Sequence, residues 1–163
     1  MLPAAAAAGA LATAFFLGGS ASAAHADAAF MKTKAQKIAF ALNLTKNSPG
    51  SARDWMWARQ YQNSKGIKDY DLNWNTNYCS HSPDKVAGVS LKNACARHDF
   101  GYRNFKKLVG INKLISDHKS RIDNAFYGDL LRACDSASNS VKRKTCKYAA
   151  ANYYTAVKNY TPS

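Results

Sequence analysis

Glutamate is absent from the sequence, and all ten acidic residues are aspartates. Because 23 lysines and arginines stand against them, the formal net charge is +13 at pH 7. This imbalance excludes a surface that repels polyanions, and it favours contact with an anionic membrane, a nucleic acid or an acidic cell wall. Charge alone does not choose among these partners, and it also serves solubility.

Basic residues are missing from the first thirty positions, which consist mostly of Ala, Leu, Gly and Phe. The apolar run from Ala4 to Leu17 is too short to span a bilayer. Small residues follow this run in the pattern that a signal peptidase needs. We therefore expect a signal peptide over residues 1–26, cleaved after Ala23 or Ala26, and a secreted product with a single domain over residues 27–163.

Cysteine is scarce, with four residues in the whole chain. In an exported protein, four cysteines indicate two disulfides. A zinc site is disfavoured because zinc sites usually have Cys and His ligands at closer spacing. Three pairings are possible, and the sequential one requires the shortest loop closures. The cysteines are Cys79, Cys95, Cys134 and Cys146.

Internal repeats are absent as well, and the remaining pattern is helical. Apolar residues recur at helical spacing between clusters of Gly, Pro, Asn and Ser, which predicts an all-α fold of about five helices. Residues 64–77 are expected to be mostly loop. The predicted helices cover about residues 32–44, 51–62, 91–109, 117–134 and 142–160.

His98 is the candidate catalytic residue, because it shares a helix face with Cys95 and Tyr102. If its helix packs antiparallel to the helix of Asp123, that carboxylate can hold one ring nitrogen and leave the other free to take a proton from water. The developing oxyanion would need a further stabilising group. Calcium held by Asp99 is the natural candidate, because the preceding loop can add the amide and carbonyl oxygens that calcium prefers.

Residues 95–104, CARHDFGYRN, resemble the active-site helix of the secreted phospholipases A2 of bacteria and fungi. The resemblance continues through residues 119–127, Cys134 and Cys146 into the tyrosine-rich final helix. It therefore covers most of the chain from Trp74 onward.

This resemblance implies a phospholipase A2-like domain that hydrolyses the sn-2 ester of glycerophospholipids with calcium, releasing a fatty acid and a lysophospholipid. It implies His98 as the general base and Asp123 as its partner. Asp99, Asn77 and Tyr78 would be the calcium ligands. The implied all-α fold has an antiparallel catalytic helix pair and the disulfides Cys79–Cys95 and Cys134–Cys146.

The sequence departs from the family pattern in two places. Asn77 stands where the family usually has a calcium-binding Asp, so one negative charge is lost and calcium affinity should fall. The segment from Lys85 to Asn93 lacks the Phe- and Pro-rich run that is typical of relatives. These departures leave open weak calcium binding, an altered substrate preference or lost activity.

An apolar slot beside the catalytic histidine would have to accept an acyl chain. Phe100, Tyr102, Phe105 and Phe126 are candidates for its wall, although each is equally compatible with the core.

Basic residues are expected to draw the protein, as a monomer, to an anionic phospholipid surface, at about 1 kcal/mol per residue. Arg97 and Arg103 flank the catalytic turn and could meet lipid phosphate or pair locally. Solvated helix faces are an equally open interpretation of the others, which are Lys106, Lys107, Lys113, Lys119, Arg121 and residues 142–144.

Two other classes of protein fit part of the sequence. A non-enzymatic secreted basic protein that binds anionic membranes or a protein partner is the main alternative, and Asn77 supports it. A nuclease-like or nucleic-acid-binding protein fits the charge. It would need a second well-placed histidine or interleaved aromatic and basic residues, which the sequence lacks, so no nucleic-acid partner is expected.

Overall fold

The computed structural model describes residues 31–162 of the chain, and the predicted signal peptide with both cleavage positions lies outside them. The described residues are mainly helical, with one short antiparallel hairpin. A π-helical turn at Leu114–His118 leads into the second-last helix. The helices are α1 Lys34–Leu44, α2 Pro49–Gln60, α3 Lys65–Lys68, α4 Lys92–Val109, α5 Ile111–Lys113, α6 Lys119–Cys134 and α7 Ser140–Asn159, and the strands are β1 Lys85–Val86 and β2 Val89–Ser90.

The predicted fold class is confirmed, because five of the helices within residues 31–162 have 11 residues or more and match the five predicted ones. Their boundaries shift by a few residues. Helix α2 begins at Pro49 rather than Ser51, since Ser48 accepts the backbone N–H of Ser51 and proline at the first helical position needs no donor. The predicted loop over 64–77 contains the short α3, and the β hairpin was not predicted.

Helix ends follow ordinary capping chemistry. The side chain of Thr33 accepts the backbone N–H of Gln36, and the Gln36 side chain accepts the backbone N–H of Thr33. Asn139 accepts the backbone N–H of Lys142 at the start of α7. Gly110 ends α4 with a φ of 85°, a conformation that glycine adopts without steric cost. Local sequence therefore sets where the long helices begin and end.

Helices α4 and α6 pack against each other in antiparallel directions. Early residues of α4 meet late residues of α6: Arg97 bonds Asp129, while further along α4 Gly101 lies beside Ile122. A Cβ atom on Gly101 would lie 2.9 Å from a methyl carbon of Ile122, so glycine permits this close approach. The predicted antiparallel pair is therefore present.

The core has two parts. One part lies between α1, α2 and α4, and its largest buried side chains are Trp55, Phe100 and Phe105. The other contains Phe126 and Leu130 together with both disulfides. The disulfides are Cys79–Cys95, which joins the loop before the hairpin to α4, and Cys134–Cys146, which joins α6 to α7, as predicted. Within residues 31–162, none of the helices has the length and apolar character needed to cross a membrane.

Arg97 fixes several elements at once. Its guanidinium bonds the carboxylate of Asp129 at 2.6 Å, the backbone oxygens of Leu44 and Lys46 at 2.8 and 2.6 Å, and the Ser51 hydroxyl at 2.7 Å. The Arg97 side chain is 3% exposed. It therefore holds the α1–α2 corner to the helix pair instead of meeting lipid phosphate.

Candidate active site

The antiparallel helix pair brings His98 and Asp123 into direct contact. The Nε2 atom of His98 lies 2.8 Å from Oδ1 of Asp123. The His98 side chain is 14% exposed, whereas that of Asp123 is 2% exposed. The His98 ring also packs on Tyr102 and Phe126, with ring centroids 4.5 and 4.6 Å apart. These contacts fix the plane of the imidazole.

Asp123 receives hydrogen bonds from two further residues. The Tyr102 hydroxyl donates to Oδ1, and the Lys119 ammonium donates to Oδ2, each at 2.8 Å. Burial raises the pKa of Asp123, but the hydrogen bonds from His98, Lys119 and Tyr102 outweigh burial and hold this pKa below its ordinary value. Burial and the Asp123 charge raise the pKa of Tyr102 far above its ordinary value. Asp123 is therefore a carboxylate and Tyr102 a neutral donor near neutral pH.

This arrangement suits a general base. A carboxylate that accepts the Nε2–H of an imidazole selects one tautomer, and the other nitrogen, Nδ1, then carries the lone pair. Because the His98 side chain is partly exposed, a water molecule can reach the ring. The structure thus brings together the two residues that the sequence predicted as a pair.

Asp99 holds the loop that precedes the first disulfide. Its Oδ2 atom accepts hydrogen bonds from the Thr76 hydroxyl at 2.7 Å and from the Asn77 backbone N–H at 3.0 Å. The side-chain oxygen of Asn77 accepts a hydrogen bond from Arg103 at 3.0 Å. Tyr78 follows in a left-handed conformation, with φ of 54°. All three predicted calcium ligands therefore belong to one small region.

The donor set of this region has the chemistry that calcium prefers. It offers the Asp99 carboxylate, the Asn77 amide and the backbone carbonyls of the loop, all hard oxygen donors. No cluster of three or more His, Cys, Asp or Glu side chains able to hold a metal occurs within residues 31–162. These residues fit calcium, although they offer only one carboxylate. The amide oxygen of Asn77 also accepts a hydrogen bond from the positively charged Arg103.

Asn104 helps to form the site, although its role could not be predicted from the sequence. Its side chain is completely buried, donates to the backbone oxygen of Asn73 at 2.8 Å, and accepts from the Asn73 backbone N–H at 2.7 Å. It thus fastens the loop of Thr76 and Asn77 to α4. The available signal was its position at the end of the run 95–104, one turn beyond Phe100 on the predicted helix that carries His98.

The proposed wall of the acyl slot is mainly core. Phe100, Phe105 and Phe126 are buried, and the hydroxyl of Tyr102 is bonded to Asp123. A cavity that His98 shares with Thr45, Arg97 and Phe126 has a volume of about 10 Å³, which holds at most about one water molecule. A larger cavity of about 340 Å³ lies between α2, α4 and α6, lined by Pro49, Ala52, Arg53, Trp55, Met56, Ser90, Asn93, Ala94, Arg97, Asp129, Arg132 and Ala133.

Two of the basic residues predicted for the surface are directed inward. Lys119 contacts Asp123 and the end of α7. Arg121 donates to the backbone oxygen and the hydroxyl of Thr45, and burial lowers the pKa of Arg121 to about 10. Lys106 and residues 142–144 are exposed.

This protein is a small helical domain linked by disulfides, and a buried carboxylate accepts a hydrogen bond from its histidine. These features are typical of hydrolases that activate water with a histidine. The chain belongs to the prokaryotic phospholipase A2 family, whose pattern it matches over residues 49–161. The match begins well before Trp74, where the sequence resemblance was placed.

Two fungal proteins are similar to the chain over shorter segments. The secretory phospholipase A2 of Arthroderma benhamiae is 39% identical over 83 residues, covering 50% of this chain and 54% of that protein. The secretory phospholipase A2 of Beauveria bassiana is 34% identical over 89 residues, covering 55% of this chain and 44% of that protein. The chain therefore spans about half the length of these curated relatives.

Proposed function

We propose that this protein is a secreted, calcium-dependent phospholipase A2 that hydrolyses the sn-2 ester of glycerophospholipids. The observation that carries the proposal is the 2.8 Å bond between His98 and Asp123, found in a member of the prokaryotic phospholipase A2 family. Two relatives named secretory phospholipase A2 support both the activity and the secretion. The predicted signal peptide supports secretion independently.

In the proposed mechanism His98 acts as a general base towards water. Asp123 holds the Nε2–H tautomer, so Nδ1 removes a proton as the water oxygen attacks the ester carbonyl carbon. The tetrahedral intermediate then collapses, His98 returns the proton to the glycerol oxygen, and the products are a fatty acid and a lysophospholipid. General-base assistance of this kind contributes roughly 10²- to 10⁴-fold, so stabilisation of the oxyanion must supply much of the rest.

Calcium would be held by Asp99, by the Asn77 amide and by the Tyr78 backbone carbonyl. When bound, it would polarise the ester carbonyl and stabilise the oxyanion. The hydrogen bonds from Thr76 and Asn77 keep the Asp99 carboxylate directed at this loop. A charge of +13 supports an anionic phospholipid surface as the partner of the monomer.

Fatty-acid release from mixed-chain phosphatidylcholine and phosphatidylglycerol vesicles tests the proposal. The mature, oxidised protein is assayed over a calcium series with an EDTA control, and the released acyl chain is identified. We expect loss of the sn-2 chain only with calcium. No release at millimolar calcium, from protein shown to be folded, would refute the activity and favour a non-enzymatic membrane-binding protein.

His98→Ala is the variant that tests the base. It removes the imidazole from a partly exposed position, so the fold should survive while hydrolysis falls by at least about 10²-fold. His81→Ala, in an exposed position, is the matched control and should hydrolyse at the wild-type rate. A His98→Ala protein with near-normal turnover would remove His98 from the mechanism.

A further inference from the structure

Lys119 stands out among the basic residues because its ammonium group is enclosed by acceptors. Its Nζ atom lies 2.8 Å from Oδ2 of Asp123, 2.8 Å from the backbone oxygen of Val157 and 3.1 Å from that of Lys158. The Lys119 side chain is 14% exposed. An ammonium group has three N–H donors, and each has an acceptor here.

Two of these acceptors belong to the end of α7. Val157 and Lys158 lie in the last turn of the helix, where backbone carbonyls carry the negative end of the helix dipole. The Val157 oxygen also accepts a long hydrogen bond from the Tyr160 N–H, at 3.3 Å. The Lys119 ammonium donates to both oxygens and places a positive charge at this negative end. Lys119 therefore joins the carboxyl end of α7 to the carboxylate that contacts His98.

The two oxygens of Asp123 are held from different sides. Oδ1 accepts from His98 and Tyr102, whereas Oδ2 accepts from Lys119. Without the contact to Oδ2, rotation about the terminal side-chain torsion would exchange the oxygens or tilt their plane, because this torsion is soft. Lys119 thus fixes the direction in which Oδ1 meets the imidazole.

We propose that Lys119 is a positioning residue of the active site, which orients Asp123 and ties the end of α7 to the His98–Asp123 pair. The kinetic part of this inference rests on the proposed function. The structural part does not, because the geometry of the pair exists whether or not lipid is hydrolysed. A residue with this role acts through Asp123 and contacts neither lipid nor calcium.

Lys113 offers a matched control. It pairs with Asp117 at 2.7 Å with the same i, i+4 spacing, but its side chain is 63% exposed and that of Asp117 is 41% exposed. Lys119→Met and Lys113→Met therefore delete the same group from a buried and an exposed pair. Lys119→Arg retains the charge and the donors.

The kinetic experiment measures kcat and KM for these variants on phosphatidylglycerol vesicles with calcium. We expect Lys119→Met to lower kcat by about 10-fold with KM within about twofold, because an interaction that serves the reacting geometry acts on kcat. Lys119→Arg should recover most of kcat. Lys113→Met removes one charge that attracts anionic lipid, so its KM on these vesicles can rise, but its kcat should equal that of wild type. In an Asp123→Asn background, Lys119→Met should cost nothing further, since two residues that act as a unit are not additive.

The ring ¹⁵N NMR signals of His98 give a readout that needs no activity. At pH 8, wild type and Lys119→Arg should show a single Nε2–H tautomer, and Lys119→Met should show a mixture of tautomers. If wild type fails to hydrolyse lipid but these spectra differ as stated, the proposed function fails and the positioning role stands. A folded Lys119→Met protein with an unchanged tautomer, or with losses that add to those of Asp123→Asn, would overturn the inference.

Discussion

At the scale of single residues, the site depends on which partner holds each polar atom. Asp123 is buried, yet its oxygens are bonded to His98, Tyr102 and Lys119, so its negative charge is compensated. An unpaired buried carboxylate would instead become protonated. Asn77 also has a partner, because its amide oxygen accepts a hydrogen bond from Arg103.

The lowered pKa of Asp123 predicts how stability depends on pH. A carboxyl group with a depressed pKa in the folded state stabilises the fold above its ordinary pKa, and this contribution is lost as pH falls through the lowered value. The difference in unfolding free energy between wild type and Asp123→Asn should therefore shrink below about pH 4. Urea denaturation from pH 3 to pH 7 measures it, with exposed Asp54→Asn as control; a difference independent of pH would contradict the assignment.

Asn77→Asp should tighten calcium binding, because it adds one negative charge to the proposed calcium site, where Asp99 is the one carboxylate among the proposed ligands. Isothermal titration with calcium measures the change. Asn75→Asp adds the same charge at an exposed position two residues away, and it should have a much smaller effect. Equal gains from both variants would indicate a general effect of charge, and no gain from Asn77→Asp would show that this side chain does not contact the ion.

At the scale of helices and strands, the pair α4–α6 is the framework on which the site is built. Gly101 allows the helices to approach closely, and the bond between Arg97, the residue before His98, and Asp129 fixes their register. The Cys79–Cys95 disulfide and Asn104 then hold the loop of Asn77 against α4. Most of these contacts link residues far apart in the chain.

Arg97→Met should destabilise the fold by roughly 3 kcal/mol, because it leaves the buried Asp129 carboxylate with only the partly exposed Arg132 as its partner. It also removes the donors that hold the ends of α1 and α2. Chemical denaturation checks the value, and the exposed Arg53→Met should change stability by about 0.5 kcal/mol or less. A stability loss for Arg97→Met as small as that of Arg53→Met would show that the buried pair contributes little.

At the scale of the whole molecule, repulsion between positive charges lowers the stability of the fold, and the two disulfides raise it. The net charge of +13 implies considerable self-repulsion. Two disulfides restrict the unfolded chain, and each closes a short loop, with sequence separations of 16 and 12 residues. Such a domain can carry a strongly basic surface while keeping its helices in place.

Vesicle binding should reveal this surface. Binding to phosphatidylglycerol vesicles should weaken markedly between 50 mM and 500 mM NaCl, since the screening length falls below about 5 Å. Phosphatidylcholine vesicles are the control and should show little dependence on salt. Sedimentation of vesicles at each salt concentration measures both. Salt-independent binding to the anionic vesicles would remove electrostatic attraction as the cause.

The helical class, the approximate helix positions and the pairing of His98 with Asp123 were all predictable from the sequence. Helical periodicity and capping residues are local signals. The sequential disulfide pairing needed the shortest loop closures, and the family resemblance implied the same pairing. The hairpin and the π-helical turn were not predicted from the sequence. The start of α2 was predicted two residues too late, at Ser51 instead of Pro49.

The contacts between polar groups that are distant in the chain, and the burial of those groups, are visible only in the folded structure. Nothing local shows that Lys119 meets the end of α7, that Arg97 is buried, or that Arg103 bonds Asn77. The i, i+4 spacing of Lys119 and Asp123 was visible, but the same spacing joins Lys113 to Asp117 at the surface. Burial separates the two pairs, and burial depends on how distant segments pack rather than on the neighbouring residues.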